Sequence, residues 1–168
     1  DRLTMSRPRI MLTGMSGTGK SSVIDALRQR GVAAVDMDEP GWSTCNELGH
    51  QLWHEERLQH WLDEHAGQTL AVGGCAENQR RFYPQFDHIV LLSSPSAVIR
   101  RRLAERTNNP YGKRPAEQAE VMANLKKIEP LLRRRATHEI VTTMPLADVV
   151  AEVLALLTGG SDVCDGRS

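Results

Sequence analysis

The chain has 168 residues, the size of one domain, and its 21 lysines and arginines are balanced by 21 aspartates and glutamates. A formal net charge of zero argues against a duplex nucleic-acid binder, because such proteins need a basic excess. No apolar run approaches the roughly 18 residues that span a bilayer, and three widely spaced cysteines fit a reducing compartment better than a disulfide framework. We therefore expect a cytoplasmic protein with no nucleic-acid partner and no membrane partner.

The first half of the chain alternates short aliphatic runs with longer periodic segments. Residues 9–13 are predicted to form a buried strand, and a glycine loop and a helix over about 20–30 follow it. Residues 32–37 predict a second strand. Leucines and tryptophans then recur at helical spacing over 44–65, and a third strand is expected at 69–74.

The second half of the chain continues this alternation. Residues 88–92 predict a fourth strand, and the start signal "SSPS" predicts a helix over 96–106. The next helical stretch contains Pro130, which we expect to kink or divide it. A fifth strand is predicted at 139–143 and a closing helix at 146–157.

Apolar strands separated by helices indicate an α/β fold, with a parallel sheet covered on both faces. In such sheets, ligands bind at the carboxyl ends of the strands. We expect one domain over residues 5–158. Residues 1–4 precede a methionine and are interpreted as a cloning remnant, and residues 159–168 as a flexible tail.

The glycine loop carries the most specific chemical signal. Residues 14–21, "GMSGTGKS", fit the pattern G-x-x-x-x-G-K-[ST], with a strand predicted before them and a helix after them. Such a loop turns backbone N–H groups around the phosphates of a nucleoside triphosphate. Lys20 is predicted to reach the β- and γ-phosphates, and the Ser21 hydroxyl to bind Mg²⁺. The predicted nucleotide-binding residues of the loop are Gly14, Ser16, Gly17, Thr18, Gly19, Lys20, Ser21 and Ser22.

Two aspartates follow the second predicted strand. Asp36 and Asp38 are two residues apart, so both carboxylates project to one side of an extended chain. Asp36 is the candidate that holds Mg²⁺, directly or through water. Asp38 is the candidate that orients an attacking hydroxyl or accepts its proton. Trp42 lies beside Asp38 in the sequence and is predicted to form the floor of the acceptor pocket.

Several segments together resemble one family. They are "GMSGTGKSS", the D-x-D of "VDMDE", the Gly-Gly turn in "LAVGGCAENQ", the arginine-bearing "ERTNNPYGKRP" and the final "EIVTTMPLADVVAEVL". In order and spacing the chain resembles the shikimate kinase and gluconate kinase branch of the nucleoside-monophosphate-kinase-like P-loop proteins, over nearly all of residues 9–157. The resemblance implies a three-layer P-loop NTPase core with a five-stranded parallel sheet in the order 2-3-1-4-5. It also implies a helical substrate-binding insertion at about 39–65 and a short mobile lid at about 107–115.

The sequence departs from the shikimate kinase pattern at the positions that bind the substrate. The positions at which shikimate kinases supply arginines from the insertion helix and from the helix beyond the lid fall on Leu52 and Ile128. Cys75 stands where a third glycine is usual, and Arg57 is the only arginine of the insertion. Shikimate is therefore not the expected substrate.

The lid segment supplies the predicted cationic groups. Arg102 and Arg106 are four residues apart on one helix face, and Arg106 enters the irregular segment that Lys113 and Arg114 close. We predict catalytic roles for Arg106 and Arg114, because a lid cation neutralises charge on the transferred phosphoryl group, and a nucleotide contact for Arg106 as well. Arg133, Arg134 and Arg135 are consecutive and cannot all face one site.

Further contacts are predicted on both sides of the reaction centre. Gly73, Gly74 and Asn78 follow the third strand, where backbone can approach a substrate, and Glu55 matches an acidic position of the shikimate kinase insertion helix. "TTMPLAD" matches the segment that cradles adenine in relatives, which makes Met144 and Pro145 the predicted base contacts.

The sequence therefore predicts an ATP- and Mg²⁺-dependent phosphotransferase. It would move the γ-phosphoryl group of ATP to a hydroxyl of a small molecule, release ADP and act as a monomer or homodimer. Two other enzyme classes stay open: a nucleoside or nucleoside-monophosphate kinase, and an antibiotic-modifying phosphotransferase. An alternative of another class is an ATP-binding regulatory module with little turnover.

Overall fold

The computed structural model of the protein describes residues 7–107 and 112–158. The predicted remnant 1–4, the predicted tail 159–168 and residues 108–111 of the predicted lid lie outside the described residues.

In the described part of the chain, five short strands pair side by side into one parallel sheet. They are β1 (Arg9–Thr13), β2 (Ala33–Asp36), β5 (Leu70–Gly73), β6 (His88–Ser93) and β7 (His138–Val141). Their order is β2-β5-β1-β6-β7, and every neighbouring pair is parallel. All five carboxyl ends therefore meet at one edge of the sheet, where ligands of α/β proteins bind.

The strand order differs from the predicted 2-3-1-4-5 when every strand of the chain is numbered. A hairpin that the sequence analysis missed, β3 (Ser43–Cys45) with β4 (Gln51–Trp53), lies between β2 and β5 along the chain. With every strand counted, the order is 2-5-1-6-7. If only the five strands of the large sheet are numbered, in chain order, their spatial order is 2-3-1-4-5.

The prediction of a helix over 44–65 was wrong in its first half. Asn46 Oδ1 accepts hydrogen bonds from the backbone N–H groups of Leu48 and His50, both at 2.9 Å, and thereby closes a turn between the two strands. Gly49 continues this turn with φ +81°, a conformation that a helix cannot contain. Leu48, taken as part of the apolar face, is 77% exposed. The insertion is therefore a hairpin followed by a helix.

Among the described residues, five helices cover the sheet. They are α1 (Lys20–Gln29), α2 (Glu55–Glu64), α3 (Ser96–Glu105), α4 (Pro115–Arg135) and α5 (Leu146–Leu157), with a 3-10 segment at Glu77–Gln85. Pro130 does not divide α4. It removes the hydrogen bond to the carbonyl of Lys126, but both residues are exposed, so water can satisfy that carbonyl.

The core lies on both faces of the sheet because side chains alternate along β1. Ile10 and Leu12 pack with residues of α1 and α5 on one face. Met11 packs on the other face with α2 and the 3-10 segment, through Leu62 and Phe82 among others. The result is three layers with the sheet in the middle. Within the described ranges, no helix is both long enough and apolar enough to cross a membrane.

Candidate active site

The loop between β1 and α1 folds tightly around its own backbone. Gly14 has φ +152°, and a Cβ atom there would lie 2.4 Å from the Leu92 carbonyl oxygen, so only glycine fits. The buried Thr18 hydroxyl donates to the carbonyl of Met15 at 2.8 Å and closes the turn. The first N–H groups of α1 begin directly after Gly19, and no side chain caps them. These N–H groups and the helix dipole favour an anion at this position.

The Lys20 ammonium lies inside this loop. Lys20 is buried, and its Nζ donates to the carbonyl oxygens of Gly14 at 2.6 Å and Met15 at 3.1 Å. An ammonium has three donors, so one is left for an anion beyond the two on the loop. The other predicted loop residues, Ser16, Gly17, Ser21 and Ser22, lie on the same loop and on the first turn of α1.

Ser21 and Asp36 are brought together at the end of β2. The Ser21 hydroxyl donates to Asp36 Oδ2 at 2.6 Å, and the backbone N–H of Asp38 donates to Asp36 Oδ1 at 2.9 Å. Burial raises the pKa of Asp36, and the two hydrogen bonds oppose this effect only in part. A buried carboxylate beside a hydroxyl matches the oxygen ligands that Mg²⁺ prefers, and a cation would offset the cost of burying the charge. This pair therefore fits a magnesium ion.

A wider metal cluster is absent from the part of the chain that the structure describes. No group of three or more His, Cys, Asp or Glu side chains there is arranged to hold a metal ion. The Ser21–Asp36 pair therefore suits an ion that takes its remaining ligands from phosphates and water, as Mg²⁺ commonly does.

Asp38 is exposed, and the hairpin holds its carboxylate in place. Gln51 Nε2 on β4 donates to Asp38 Oδ1 at 2.9 Å and to Ser43 Oγ at 3.1 Å. The Ser43 hydroxyl in turn donates to the Met37 carbonyl at 2.6 Å. One carboxylate oxygen of Asp38 is thus oriented by the protein, while the residue stays open to solvent. Sequence reasoning missed Gln51 because it placed this residue in a helix.

The other predicted substrate residues, Trp42, Glu55 and Asn78, are each held by contacts within the protein. The Arg57 guanidinium lies 4.0 Å from the centre of the Trp42 ring and donates to the Gly41 carbonyl at 2.7 Å. Asn78 binds the backbone of Trp53 through both ends of its amide and donates to Glu55 Oε2 at 2.8 Å. Asn78 and Glu55 thus join β4 and α2 to the 3-10 segment.

Gly73 and Gly74 are required by packing. A Cβ atom at Gly73 would lie 2.9 Å from Ile24 Cγ1, and one at Gly74 would lie 2.9 Å from Met37 Cβ and 3.0 Å from Trp53 Cζ2. Both glycines were predicted to let the backbone approach a substrate, and this stays a prediction. The contact of Gly74 with Met37 brings the end of β5 close to the chain around Asp38.

Arg102 is half-buried, and its contacts were not predicted from the sequence. Its guanidinium donates to the Gly17 carbonyl, Ser94 Oγ and Thr142 Oγ1, each at 3.1 Å, and to the Thr142 carbonyl. One side chain of α3 therefore joins the glycine loop to the ends of β6 and β7. The i, i+4 spacing with Arg106 was visible, but the bonds to three separate segments were not.

We expect Arg102→Met to weaken nucleotide binding by tenfold or more, because the substitution removes the donor that the carbonyls of Gly17 and Thr142 share. An acceptor left unsatisfied in this way costs about 1–3 kcal/mol. Calorimetric titration with the magnesium complex of ADP measures the affinity. The matched control is Arg101→Met, an exposed arginine on the same helix, which we expect to bind normally. Equal affinity for both variants would contradict the role of Arg102.

The remaining lid residues lie at helix ends. Arg106 ends α3, and Lys113 Nζ donates to the Ala104 carbonyl at 2.8 Å and to the Arg106 carbonyl. The exposed Arg114 directly precedes α4, where the Glu117 carboxylate accepts from the N–H of Gly112 at 2.9 Å. Lys113 therefore caps α3, and Arg106 and Arg114 stand at the two ends of the predicted lid.

The predicted base contacts lie beyond β7. Met144 is half-buried against the core cluster of α1 and α5, and Pro145 directly precedes α5. Arg102 holds Thr142 two residues earlier, which connects this segment to the glycine loop.

Known proteins resemble this chain in sequence and in structure. A profile of the family described as AAA domain matches residues 10–123. A protein of Archaeoglobus fulgidus named "Putative adenylate kinase" is 31% identical over 155 residues, covering 89% of this chain and 82% of the relative. Shikimate kinase from Acinetobacter baumannii in complex with shikimate has a TM-score of 0.63 at 22% identity, covering 95% of this chain and 97% of that chain. Gluconokinase from Sinorhizobium meliloti 1021 has a TM-score of 0.62 at 22% identity, covering 96% and 98%.

Proposed function

The chain belongs to the AAA domain family of P-loop proteins, within the nucleoside-monophosphate-kinase-like superfamily, and on this premise we propose an ATP- and Mg²⁺-dependent small-molecule kinase. The transfer would move the γ-phosphoryl group of ATP to a hydroxyl of a small acceptor and release ADP. One observation carries the proposal. The buried Lys20 loop and the Ser21–Asp36 pair lie at the same sheet edge as Asp38, whose carboxylate Gln51 orients.

The proposed roles follow from these contacts. The loop N–H groups and Lys20 bind the β- and γ-phosphates, while Ser21 and Asp36 hold Mg²⁺. When bound, the metal neutralises charge on the phosphates and orients them. The hydroxyl oxygen of the acceptor bonds to the γ-phosphorus, and the bond from that phosphorus to the oxygen that bridges it to the β-phosphorus breaks. Asp38 accepts the proton of the hydroxyl in this step. Arg106 and Arg114 supply positive charge from the lid. The protein thus contributes position and electrostatics.

The pKa of Asp36 predicts how Mg²⁺ binding depends on pH. Burial raises this pKa, so the proton competes with Mg²⁺ at higher pH than it would at an exposed aspartate. We expect Mg²⁺ affinity to fall as the pH drops through the raised pKa and to level off above it. Asp36→Asn should weaken Mg²⁺-dependent nucleotide binding by tenfold or more and remove this pH dependence, as measured by calorimetry. The exposed Asp25→Asn is the control, and the same pH profile in Asp36→Asn and wild type would exclude Asp36 as the ligand.

A transfer assay tests the proposed function. The full chain is incubated with Mg²⁺ and ATP labelled at the γ-phosphate, together with a panel of sugar acids, polyols, nucleosides and nucleoside monophosphates. We expect label on one class of hydroxyl-bearing compound. Nucleotide binding without label on any compound of a broad panel would favour the regulatory module over the kinase.

A nucleoside-monophosphate kinase is the second candidate, and the relative named as an adenylate kinase supports it. Transfer from ATP to AMP, which yields two ADP, is the test. Against this candidate, Arg57 is the only arginine of the insertion, and its side chain is held by Gly41 and Trp42. In the same panel, label on AMP but not on sugar acids would decide for it.

A further inference from the structure

One face of the hairpin β3–β4 turns towards the carboxyl edge of the large sheet. Ser43 pairs with Trp53 across the two strands, so their side chains share this face. Trp53 is 2% exposed, and its Cζ2 atom would lie 3.0 Å from a Cβ atom at Gly74, just after β5. Gln51 is two residues before Trp53, so its side chain lies on the same face, where it reaches Asp38. This face therefore forms a wall beside the proposed proton acceptor.

The orientation of the Gln51 amide follows from its two partners. Nε2 donates to Asp38 Oδ1 at 2.9 Å and to Ser43 Oγ at 3.1 Å. An ionised carboxylate only accepts hydrogen bonds, and the Ser43 hydroxyl gives its single hydrogen to the Met37 carbonyl at 2.6 Å. Both partners of the amide are therefore acceptors, so its nitrogen has to face them and both of its hydrogens are used.

The Gln51 Oε1 atom is left as an acceptor. No donor to it is present among the described residues, and it is not one of the buried polar atoms without a partner, so it is open to solvent. Asp38 Oδ2 likewise accepts no hydrogen bond within the described ranges. The two oxygens belong to groups that are joined by one hydrogen bond of 2.9 Å, so one small molecule can contact both. Such a molecule has to offer two donors.

The strand that carries Gln51 is held at both of its ends by the 3-10 segment. Just before Gln51, His50 Nδ1 lies 2.6 Å from Glu77 Oε2. At the end of the strand, the Asn78 amide binds the backbone N–H of Trp53 at 2.8 Å and its carbonyl at 3.0 Å. The position of the free Oε1 atom is thus set by the protein before any ligand arrives, which lowers the ordering cost of binding.

We infer that Gln51 is a specificity-determining residue, whose Oε1 accepts a hydrogen bond from a second hydroxyl or amino group of the acceptor while Asp38 takes the proton of the reacting hydroxyl. This inference rests on the proposed kinase function. Gln51 lies on the hairpin, where the resemblance to shikimate kinases implied a helix, so that resemblance does not imply this contact. An acceptor without a second donor would cover Oε1 and leave it unsatisfied. Diols and amino alcohols are therefore favoured over simple alcohols.

Matched triplets of acceptors in the transfer assay test this selectivity. Each triplet carries a hydroxyl, an amino group or a hydrogen at one carbon. The triplets are glycerol, 2-amino-1,3-propanediol and 1,3-propanediol; gluconate, glucosaminate and 2-deoxygluconate; and adenosine, 2′-amino-2′-deoxyadenosine and 2′-deoxyadenosine. Any other compound that is labelled is compared with its own analogues, in which one remaining hydroxyl at a time is replaced in the same two ways. We expect kcat/KM to fall by about tenfold when hydrogen takes the place of the donor that contacts Oε1.

Substitution of Gln51 separates recognition of the acceptor from orientation of Asp38. Gln51→Met removes Oε1 and should bring the preference within a series to about one, whereas the loss of the bond to Asp38 lowers the rate for all members of the series alike. Gln51→Glu keeps an oxygen at this position, so the preference should survive even where the rate falls. Gln68→Met, an exposed glutamine before β5, is the control and should retain both rate and preference.

The possible outcomes distinguish this inference from the proposed function. Transfer that is equally efficient with the donor and with hydrogen at every position tested would overturn the role of Gln51 and leave the kinase intact. A wild-type preference that persists in Gln51→Met would also overturn it, because another group would then recognise the second donor. Absence of label on every compound of the panel would instead overturn the proposed function, and this inference with it.

Discussion

Lys20→Met is expected to lower phosphoryl transfer to below about one thousandth of the wild-type rate. The Lys20 ammonium lies inside the glycine loop, with Nζ donating to the carbonyls of Gly14 and Met15. Charge stabilisation by a positioned donor in a water-poor site typically contributes a factor of about 10²–10³, and loss of nucleotide affinity adds to it. Methionine keeps the apolar stem of the side chain and removes its charge together with the hydrogen bonds to Gly14 and Met15.

Release of labelled product from ATP measures this effect. The control is Lys126→Met, the same substitution at an exposed lysine of α4, which should retain full activity. Undiminished transfer by Lys20→Met would exclude the loop as the site of the reaction. Equal midpoints of thermal unfolding for Lys20→Met and Lys126→Met would show that the activity is lost through the chemistry and not through unfolding.

Asp38→Asn is expected to lower kcat by about 10²–10⁴ while leaving the affinity for ATP close to wild type. Asp38 is exposed at the sheet edge and does not touch the glycine loop in any described contact, so asparagine removes the proton acceptor but not the nucleotide site. The measurement pairs steady-state kinetics with calorimetric titration of ATP. Asp63→Asn, an exposed residue of α2, is the control. Full rate in Asp38→Asn would remove Asp38 from the mechanism.

The sequence predicted the parts of the fold that local patterns determine. Each strand of the large sheet contains a few consecutive aliphatic residues, and helices α1 and α2 end near residues 30 and 65, as expected. The glycine loop was recognisable because its chemistry lies in eight consecutive residues. Ser21 and Asp36 were each predicted on the metal side, and the structure brings their side chains together, although their hydrogen bond was not predicted.

The hairpin was missed because its apolar residues have helical spacing. Leu48 and Leu52 are four residues apart, yet the turn between β3 and β4 depends on Asn46 and on the positive φ of Gly49. The Asn46 side chain, which accepts hydrogen bonds from backbone N–H groups, determines the local structure there, although the leucine spacing is typical of a helix.

The contacts of the site depend on tertiary structure and could not be derived from spacing. Gln51 reaches Asp38 across 13 positions, and Arg102 reaches Gly17 across 85 and Thr142 across 40. Asn78 was expected to meet a substrate, but its amide is bound to the backbone of Trp53. Whether a polar side chain faces a ligand or a neighbouring segment is decided by packing, which no single-sequence pattern contains.

The most direct test of the account is a calorimetric titration of the full chain with ATP in the presence and absence of Mg²⁺. We predict a single site with a Kd in the range of about 1 μM to 1 mM, typical of enzyme substrates. Its affinity should fall when Mg²⁺ is omitted or Lys20 is replaced by methionine. Wild-type protein that binds no nucleotide under either condition would contradict the central claim that this loop holds a triphosphate for transfer.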